Sequence, residues 1–368
     1  MSPLLNGLLV VVAIGGMFLI LIAPHEGGHF LLAKLFKVRV IEFSVGAGTK
    51  VFSFTRGGTL YALRAFPILG YVRMGGMESG DFNEPSGFHS KPPLQRIAIL
   101  AAGPIANFLV AMLLITGFGL TQLNSDPGKV LRVVADRLCS DTGTARCPTP
   151  AAQAGLQVGD SIRTVNGKPV TAPGFISKEE NAHPGAPLVL TGVHPNGQAF
   201  KITVTPICDP TGTCQIGVGV APRIVTVQSA VVDGVSFPFV AIGGIVQGLD
   251  ALITGQVKGG LLGPQGLTGP IGIGAITAES VSQGPPTYIF LVALLSVALG
   301  FTNLLPLLAL DGGRIMVVVI EWLRRRPFDR NSELNIQRWG LVALLALAAV
   351  ISFLDIQRIA TGQFTGVH

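Results

Sequence analysis

Apolar positions in this chain gather into four long runs separated by mixed segments. Residues 4–24 are apolar but for Asn6 and some glycines, and the apolar character resumes through Phe36. Residues 97–120, 288–310 and 339–356 form the other three runs. About 20 consecutive apolar residues cross the hydrocarbon core of a bilayer, so each run predicts a transmembrane helix. The first is read as a retained helix: residues 1–7 carry no Lys or Arg, and no A-x-A cleavage site follows. Between the second and third runs the pattern changes. Residues 129–135, 188–193 and 200–205 are strand-like, and residues 150–170 predict a short helix, a turn, a strand and a hairpin at Asn166-Gly167. Residues 237–253 predict an amphipathic helix lying on the outer membrane surface. The glycine-rich residues 259–284 are read as loop.

The fold class that follows is a mixed α + β integral membrane protein. Its parts, in order, are helix 1 (1–36), a membrane-associated β-region (37–93), helix 2 (94–120), a small β-rich domain (121–224), an amphipathic and glycine-rich linker (225–284), helix 3 (285–313), a loop (314–335) and helix 4 (336–358).

Composition supports the membrane assignment. Charged residues make up 12% of the 368, half the share usual in soluble domains. Aromatics are 7%, net charge is +6, and the one dense basic run is Arg324-Arg325-Arg326, so nucleic-acid binding is excluded as a first reading. Charge also gives an orientation. Residues 30–96 hold nine Lys/Arg against four acids, and residues 311–338 hold six basic residues, whereas 121–285 hold ten of each sign. Both basic loops are therefore expected in the cytoplasm and the β-rich domain outside. All four cysteines (Cys139, Cys147, Cys208, Cys214) fall in that outer segment, where disulfides form. Cys139–Cys147 with Cys208–Cys214 is the simplest of three connectivities.

Candidate chemistry starts at His25-Glu26-Gly27-Gly28-His29. On a helix, positions i and i+4 share a face, so both imidazoles reach one Zn²⁺, and Glu26 is left free to take a proton from water. Ionisable residues inside a membrane helix are costly and rare, and three at ligand spacing point to a metal. A third ligand is needed. His89, His183, His194 and His368 lie in polar segments or at the chain end and are read as surface residues. Asp311 follows the third apolar run, at a depth matching the first motif. Two His and one carboxylate leave a fourth position open. Taken alone, Asp311 is equally compatible with a plain helix C-terminal turn before Gly312-Gly313.

His-Glu-x-x-His on the first helix, together with Asn303-x-x-Pro306-x-x-x-Leu310-Asp311-Gly312 on a later one, resembles the site-2 protease family of intramembrane zinc metalloproteases. Further stretches resemble its bacterial PDZ-containing branch: Gly46-Ala47-Gly48, Gly58-Thr59-Leu60-Tyr61, Pro67 to Met74, Ala101 to Asn107, and Gly269-Pro270-Ile271-Gly272-Ile273. The run 150–170 resembles the PDZ domains of bacterial proteases, so the outer segment is expected to hold one PDZ-like, extracytoplasmic domain. Leu308 and Leu69 depart from the proline and glycine that many relatives carry there. The resemblance implies zinc on His25, His29 and Asp311, Glu26 as general base, and Asn303 as a polar group near the scissile peptide. From the residues alone, Asn303 is also compatible with a bond to a neighbouring helix. It also implies a multi-pass protein of a bacterial cell membrane. Its partners would be the bilayer and single-pass membrane proteins cut after a first extracytoplasmic cleavage, an anti-sigma factor for example, with no nucleic acid and no small-molecule cofactor besides zinc. Clearance of signal-peptide remnants by the same chemistry, an inactive membrane PDZ scaffold, and an ion transporter are the alternatives. The last calls for internal repeats, and none is found.

Overall fold

The computed structural model describes residues 3–77, 81–122, 126, 128–134, 136–138, 146–171, 174–208, 213–220, 225–257, 260, 263, 266–307 and 309–361. The chain divides into two units, residues 1–118 with 232–368, and residues 119–231.

The first unit begins with α1 (Pro3–Leu35), an apolar helix carrying Pro24 just before the His-Glu pair. It is followed by β1 (Val40–Arg56) and β2 (Thr59–Met74), joined by a Gly57-Gly58 turn with both glycines at positive φ. The pairing is unusual. Residues 59–66 of β2 run back along the far half of β1 as a hairpin, while residues 70–74 return to pair with Val40–Val45. The first half of β1 thus lies between two arms of β2, and 70–74 form an edge. Arg64 ties the arms together, donating to Glu42 at 2.9 Å, Ser44 at 2.8 Å and the Tyr71 hydroxyl at 2.7 Å. α2 (Pro93–Thr121) then runs antiparallel to α1: Asn107 donates to the Leu21 carbonyl, and His29 reaches the Ile99 carbonyl.

The second unit carries β3 (Val130–Val133), β4 (Asp136–Leu138), β5 (Arg146–Pro148), α3 (Pro150–Gln153), β6 (Ser161–Val165), β7 (Lys168–Pro169), α4 (Phe175–Ala182), β8 (Leu188–Val193), β9 (Ala199–Val204), β10 (Ile207–Cys208), β11 (Cys214–Gln215) and β12 (Val218–Val220). β6 to β9 form an antiparallel sheet of order β7-β6-β8-β9, and β12 pairs with β3. Ile162, Val165, Ile176, Leu188 and Leu190 form its fully buried core. Asn166 and Gly167 both take positive φ, as a tight hairpin requires. Cys208 and Cys214 are disulfide-bonded. Cys147 is also in a disulfide, and Cys139 lies outside the described residues.

The remaining helices depart from the sequence expectations. α5 (Val227–Ile253) starts ten residues before the expected surface helix and is long and apolar enough to cross a membrane. Among the described residues five helices meet that criterion, where four runs were read from the sequence. Gly234, Asp233 and Ser236 had broken the apolar pattern. Gly234 in fact sits against Met112 and Thr116, where a Cβ would lie 1.8 Å from the Thr116 hydroxyl oxygen. Residues read as glycine-rich loop include α6 (Pro270–Gln283), packed against α1, α7 and α9. α7 (Pro285–Leu304) runs parallel to α1: its Tyr288 donates to Ala13 at 2.8 Å, and its far end lines the same cleft as His25. The third apolar run is not one helix to 313. Leu305 is extended because Pro306 follows it, and a new helix, α8 (Asp311–Arg324), occupies much of the expected loop. Its start at an acidic residue and its end at a basic one suit the helix dipole. α9 (Arg330–Ala360) starts earlier than expected because Asp329 caps it, accepting from the Ser332 N–H at 2.8 Å.

Candidate metal centre

Pro24 and two glycines lie within α1 where it meets α2, and the packing there depends on small residues. A Cβ at Gly28 would lie 2.2 Å from the Ala102 carbonyl oxygen, and one at Gly103 would lie 2.3 Å from His29 Nε2. Only glycine at both places lets the backbones approach this closely. His25 and His29 are both buried, one turn apart, and meet edge to face with ring centroids 4.9 Å apart. α8 presents Asp311 from its first turn. Asp311 Oδ2 lies 3.2 Å from His25 Nε2 and 3.2 Å from His29 Nε2, and the two Nε2 atoms are 3.3 Å apart.

The other ring nitrogens are already committed. His29 Nδ1 is 2.7 Å from the Ile99 carbonyl oxygen, which only accepts, so that nitrogen carries the proton. His25 Nδ1 is 3.1 Å from Asn107 Oδ1. In the neutral imidazoles both Nε2 lone pairs therefore face Asp311, whose buried Oδ2 has no hydrogen-bond partner. Three acceptors converge on one point. Tetrahedral zinc bonds of about 2.0–2.2 Å place donor atoms roughly 3.4 Å apart, so the three atoms suit a zinc ion with little movement. Among the described residues, these three form the one such group of His, Cys, Asp or Glu side chains.

Two cavities meet here. One, of about 490 Å³, is lined by His25, Glu26 and His29, by residues 70–74 of β2, and by Asp311 and Arg314. The other, of about 600 Å³, runs along apolar side chains, among them Met17, Leu21, Leu69, Ile273 and Leu299. Glu26 and Asn303 line both. Asn303 donates to the Leu299 carbonyl of its own helix at 3.0 Å. Gly70 brings the β2 backbone against α1: a Cβ there would lie 2.9 Å from Glu26 Cγ and 2.6 Å from Ile22 Cγ2.

Every residue proposed from the sequence for the site lies at this junction. The other histidines do not reach it. His194 pairs with Asp160 at 2.7 Å, His183 bonds the Glu179 carbonyl of its own helix, and His368 lies outside the described residues. His89 differs from the surface reading, since its Nδ1 is buried beside Arg96 and Arg330. Leu308 lies outside the described residues. Sequence reasoning passed over Asn107 and Gly70. Asn107 had its signal, as an amide in an otherwise apolar membrane run.

The chain is similar to known proteins along nearly its whole length. A family model described as Peptidase family M50 matches residues 13–347, which include all of these site residues. Zinc metalloprotease RasP of Geobacillus kaustophilus is 30% identical, across 91% of this chain and 94% of its own. Zinc metalloprotease RasP of Bacillus licheniformis is 29% identical, across 95% and 99%. The regulator of sigma-W protease RasP of Bacillus subtilis is 28% identical, across 95% and 98%. With its buried histidine pair embedded among apolar helices and the family model spanning nearly the whole chain, this protein belongs to peptidase family M50, the site-2 proteases.

Proposed function

We propose that this protein is an intramembrane zinc endopeptidase that cuts single-pass membrane proteins within their transmembrane segment. The observation that carries the reading is the convergence of His25 Nε2, His29 Nε2 and Asp311 Oδ2 where a polar cavity meets an apolar cleft. Zinc held by these residues supplies Lewis acidity, which acidifies water and polarises a peptide carbonyl. Glu26 takes a proton from the attacking water and passes it to the leaving amide nitrogen. Asn303 holds the substrate backbone or the carbonyl oxygen beside it. The apolar cleft receives the substrate helix from the lipid side. A helix hides its amide bonds, so the substrate must unwind there, and its freed N–H and C=O groups need partners. The edge at residues 70–74 offers a strand for them.

Our reading of the topology rests on charge, and the helix packing supports it. α5 descends along α2 from the Thr116 end, and α7 begins beside Ala13 at that same end of the bundle. α5 and α6 therefore enter and return on one side, and four net crossings remain. The basic segments then face the cytoplasm and residues 119–231 face out. That second unit is read as a PDZ-like domain. Exposed Val51, Phe52 and Phe66 on the β1–β2 hairpin suit contact with lipid. The name of the Bacillus subtilis relative, regulator of sigma-W protease, favours regulated proteolysis, with an anti-sigma factor as the substrate class. The test is cleavage of a single-pass substrate by wild type and Glu26→Gln in the same membranes, with bound zinc measured for both. The variant is expected to lose at least ~100-fold in rate with zinc near wild type. Wild-type cleavage by Glu26→Gln would overturn the mechanism.

A further inference from the structure

Asn107 is fully buried on α2, with its side chain between α1 and α7. Its Nδ2 donates to the Leu21 carbonyl at 3.2 Å, and Ser296 Oγ donates to its backbone carbonyl at 2.8 Å. The first of these bonds settles the amide's orientation. With Nδ2 and Oδ1 exchanged, an acceptor would face the Leu21 oxygen, another acceptor. Oδ1 must therefore point at His25 Nδ1, 3.1 Å away. An amide oxygen only accepts, so His25 Nδ1 carries the proton and its Nε2 keeps the lone pair turned toward Asp311.

The two histidines are thus oriented by different means. His29 uses a backbone carbonyl, Ile99 O, that no side-chain substitution removes. His25 depends on one side chain. An amide in a membrane helix is costly unless its bonds are made, and Asn107 makes one with its oxygen and one with its nitrogen.

We propose that Asn107 is a positioning residue for the metal centre, fixing the tautomer and ring direction of His25. The inference rests on the zinc reading above. Groups that hold the far nitrogen of a metal-bound histidine typically change metal affinity 10–100-fold when removed. Asn107→Leu keeps the volume and loses the acceptor. Asn107→Asp keeps an acceptor oxygen toward His25 and loses the donor toward Leu21.

The experiment measures zinc affinity of purified full-length protein by chelator competition, together with the thermal midpoint of the metal-free form. Wild type, Asn107→Leu, Asn107→Asp and His25→Ala are compared. Asn107→Leu is expected to bind zinc 10–100-fold more weakly, Asn107→Asp within a few-fold of wild type, and His25→Ala not measurably. Wild-type affinity in Asn107→Leu would overturn the role. So would equal losses of affinity and of metal-free midpoint in Leu and Asp variants, because Asn107 would then act through packing. Absence of zinc binding by wild type would instead overturn the metal reading, a result the Asn107 variants cannot mimic.

Discussion

The carboxylate of Asp355, fully buried on α9, lies 2.8 Å from the backbone N–H of Gly269 and 2.9 Å from that of Gly272. It caps the start of α6, whose own cap residue is a glycine with no side chain to offer. Arg358 completes the link, donating to the Leu267 carbonyl at 2.8 Å with Asp355 Oδ1 at 3.4 Å. α6 carries Ile273 into the wall of the apolar cleft. Asp355→Leu strands a buried arginine and two N–H groups, so a loss of about 3–5 kcal/mol is expected. Asp355→Asn keeps an acceptor and should lose less. Thermal unfolding of the two variants in detergent checks the order, and equal midpoints would remove the capping role.

A second buried pair fixes α8. Arg96 and Glu321, each 6% exposed, meet at 2.8 Å. Glu321 also accepts from Arg330 at 2.6 Å and from the Phe328 N–H at 2.9 Å. Because α8 begins at Asp311, this network anchors the helix that carries the candidate metal-site carboxylate. Glu321→Leu leaves buried Arg96 uncompensated, while Arg330 keeps Glu333 at 3.0 Å, with an expected cost of about 3–5 kcal/mol and weakened zinc retention. The Arg39–Glu84 pair is the control. Arg39 is 58% exposed, so Arg39→Ala should shift stability by no more than ~1 kcal/mol. Denaturation of both variants, with zinc assays, distinguishes them.

His89 gives the protein an acid sensitivity above the carboxylate range. Burial, followed by the neighbouring Arg330 and Arg96, pushes its imidazole down to about 3; Arg314 acts the same way, and Glu321 opposes it. The folded state therefore resists a proton that the unfolded chain accepts near 6.5. The stabilisation is complete above pH 6.5 and declines as pH falls toward 3, by up to about 1.4 kcal/mol per unit. Glu321, held below the usual carboxylate range by the Phe328 N–H and Arg96 despite its burial, adds its own loss only below about 4.5. Between pH 6.5 and 4.5 the thermal midpoint should fall in wild type and stay flatter in His89→Gln. Parallel curves would refute the assignment.

How much of this was legible in the sequence depends on where each signal resides. The i, i+4 histidines, the lone carboxylate and the apolar runs of α1 and α2 are local patterns, and the folded chain brings the three candidate metal-site residues together. The break after α7 was also local, since Pro306 stands in the sequence, but continuous apolarity outweighed it. α6 was not legible. Its cap comes from Asp355, 86 residues beyond Gly269, and its glycines read as loop. The two arms of β2 flanking β1 leave no periodic trace, because the register reverses about the unpaired stretch near residues 67–69. Asn107 stood in a quoted motif, yet its partner His25 lies 82 positions away.

The paired glycines of the His-Glu-Gly-Gly-His motif should behave oppositely on substitution. Around Gly27 nothing lies within 4 Å of an added Cβ, whereas at Gly28 a Cβ would stand 2.2 Å from the Ala102 carbonyl oxygen and 2.6 Å from its carbon. The obstacle is backbone, which cannot swing aside as a flexible side chain does. Gly27→Ala should therefore keep zinc and gain up to about 1 kcal/mol of helix stability. Gly28→Ala must push α1 from α2 and carry His25 and His29 away from the Asn107 and Ile99 groups that orient them. Zinc retention should drop in this variant while Gly27→Ala matches wild type. Zinc content after gel filtration, with circular dichroism to show that helix content is preserved, measures the difference. Retained zinc in Gly28→Ala would mean that the close approach of α1 and α2 is not what holds the histidines in register.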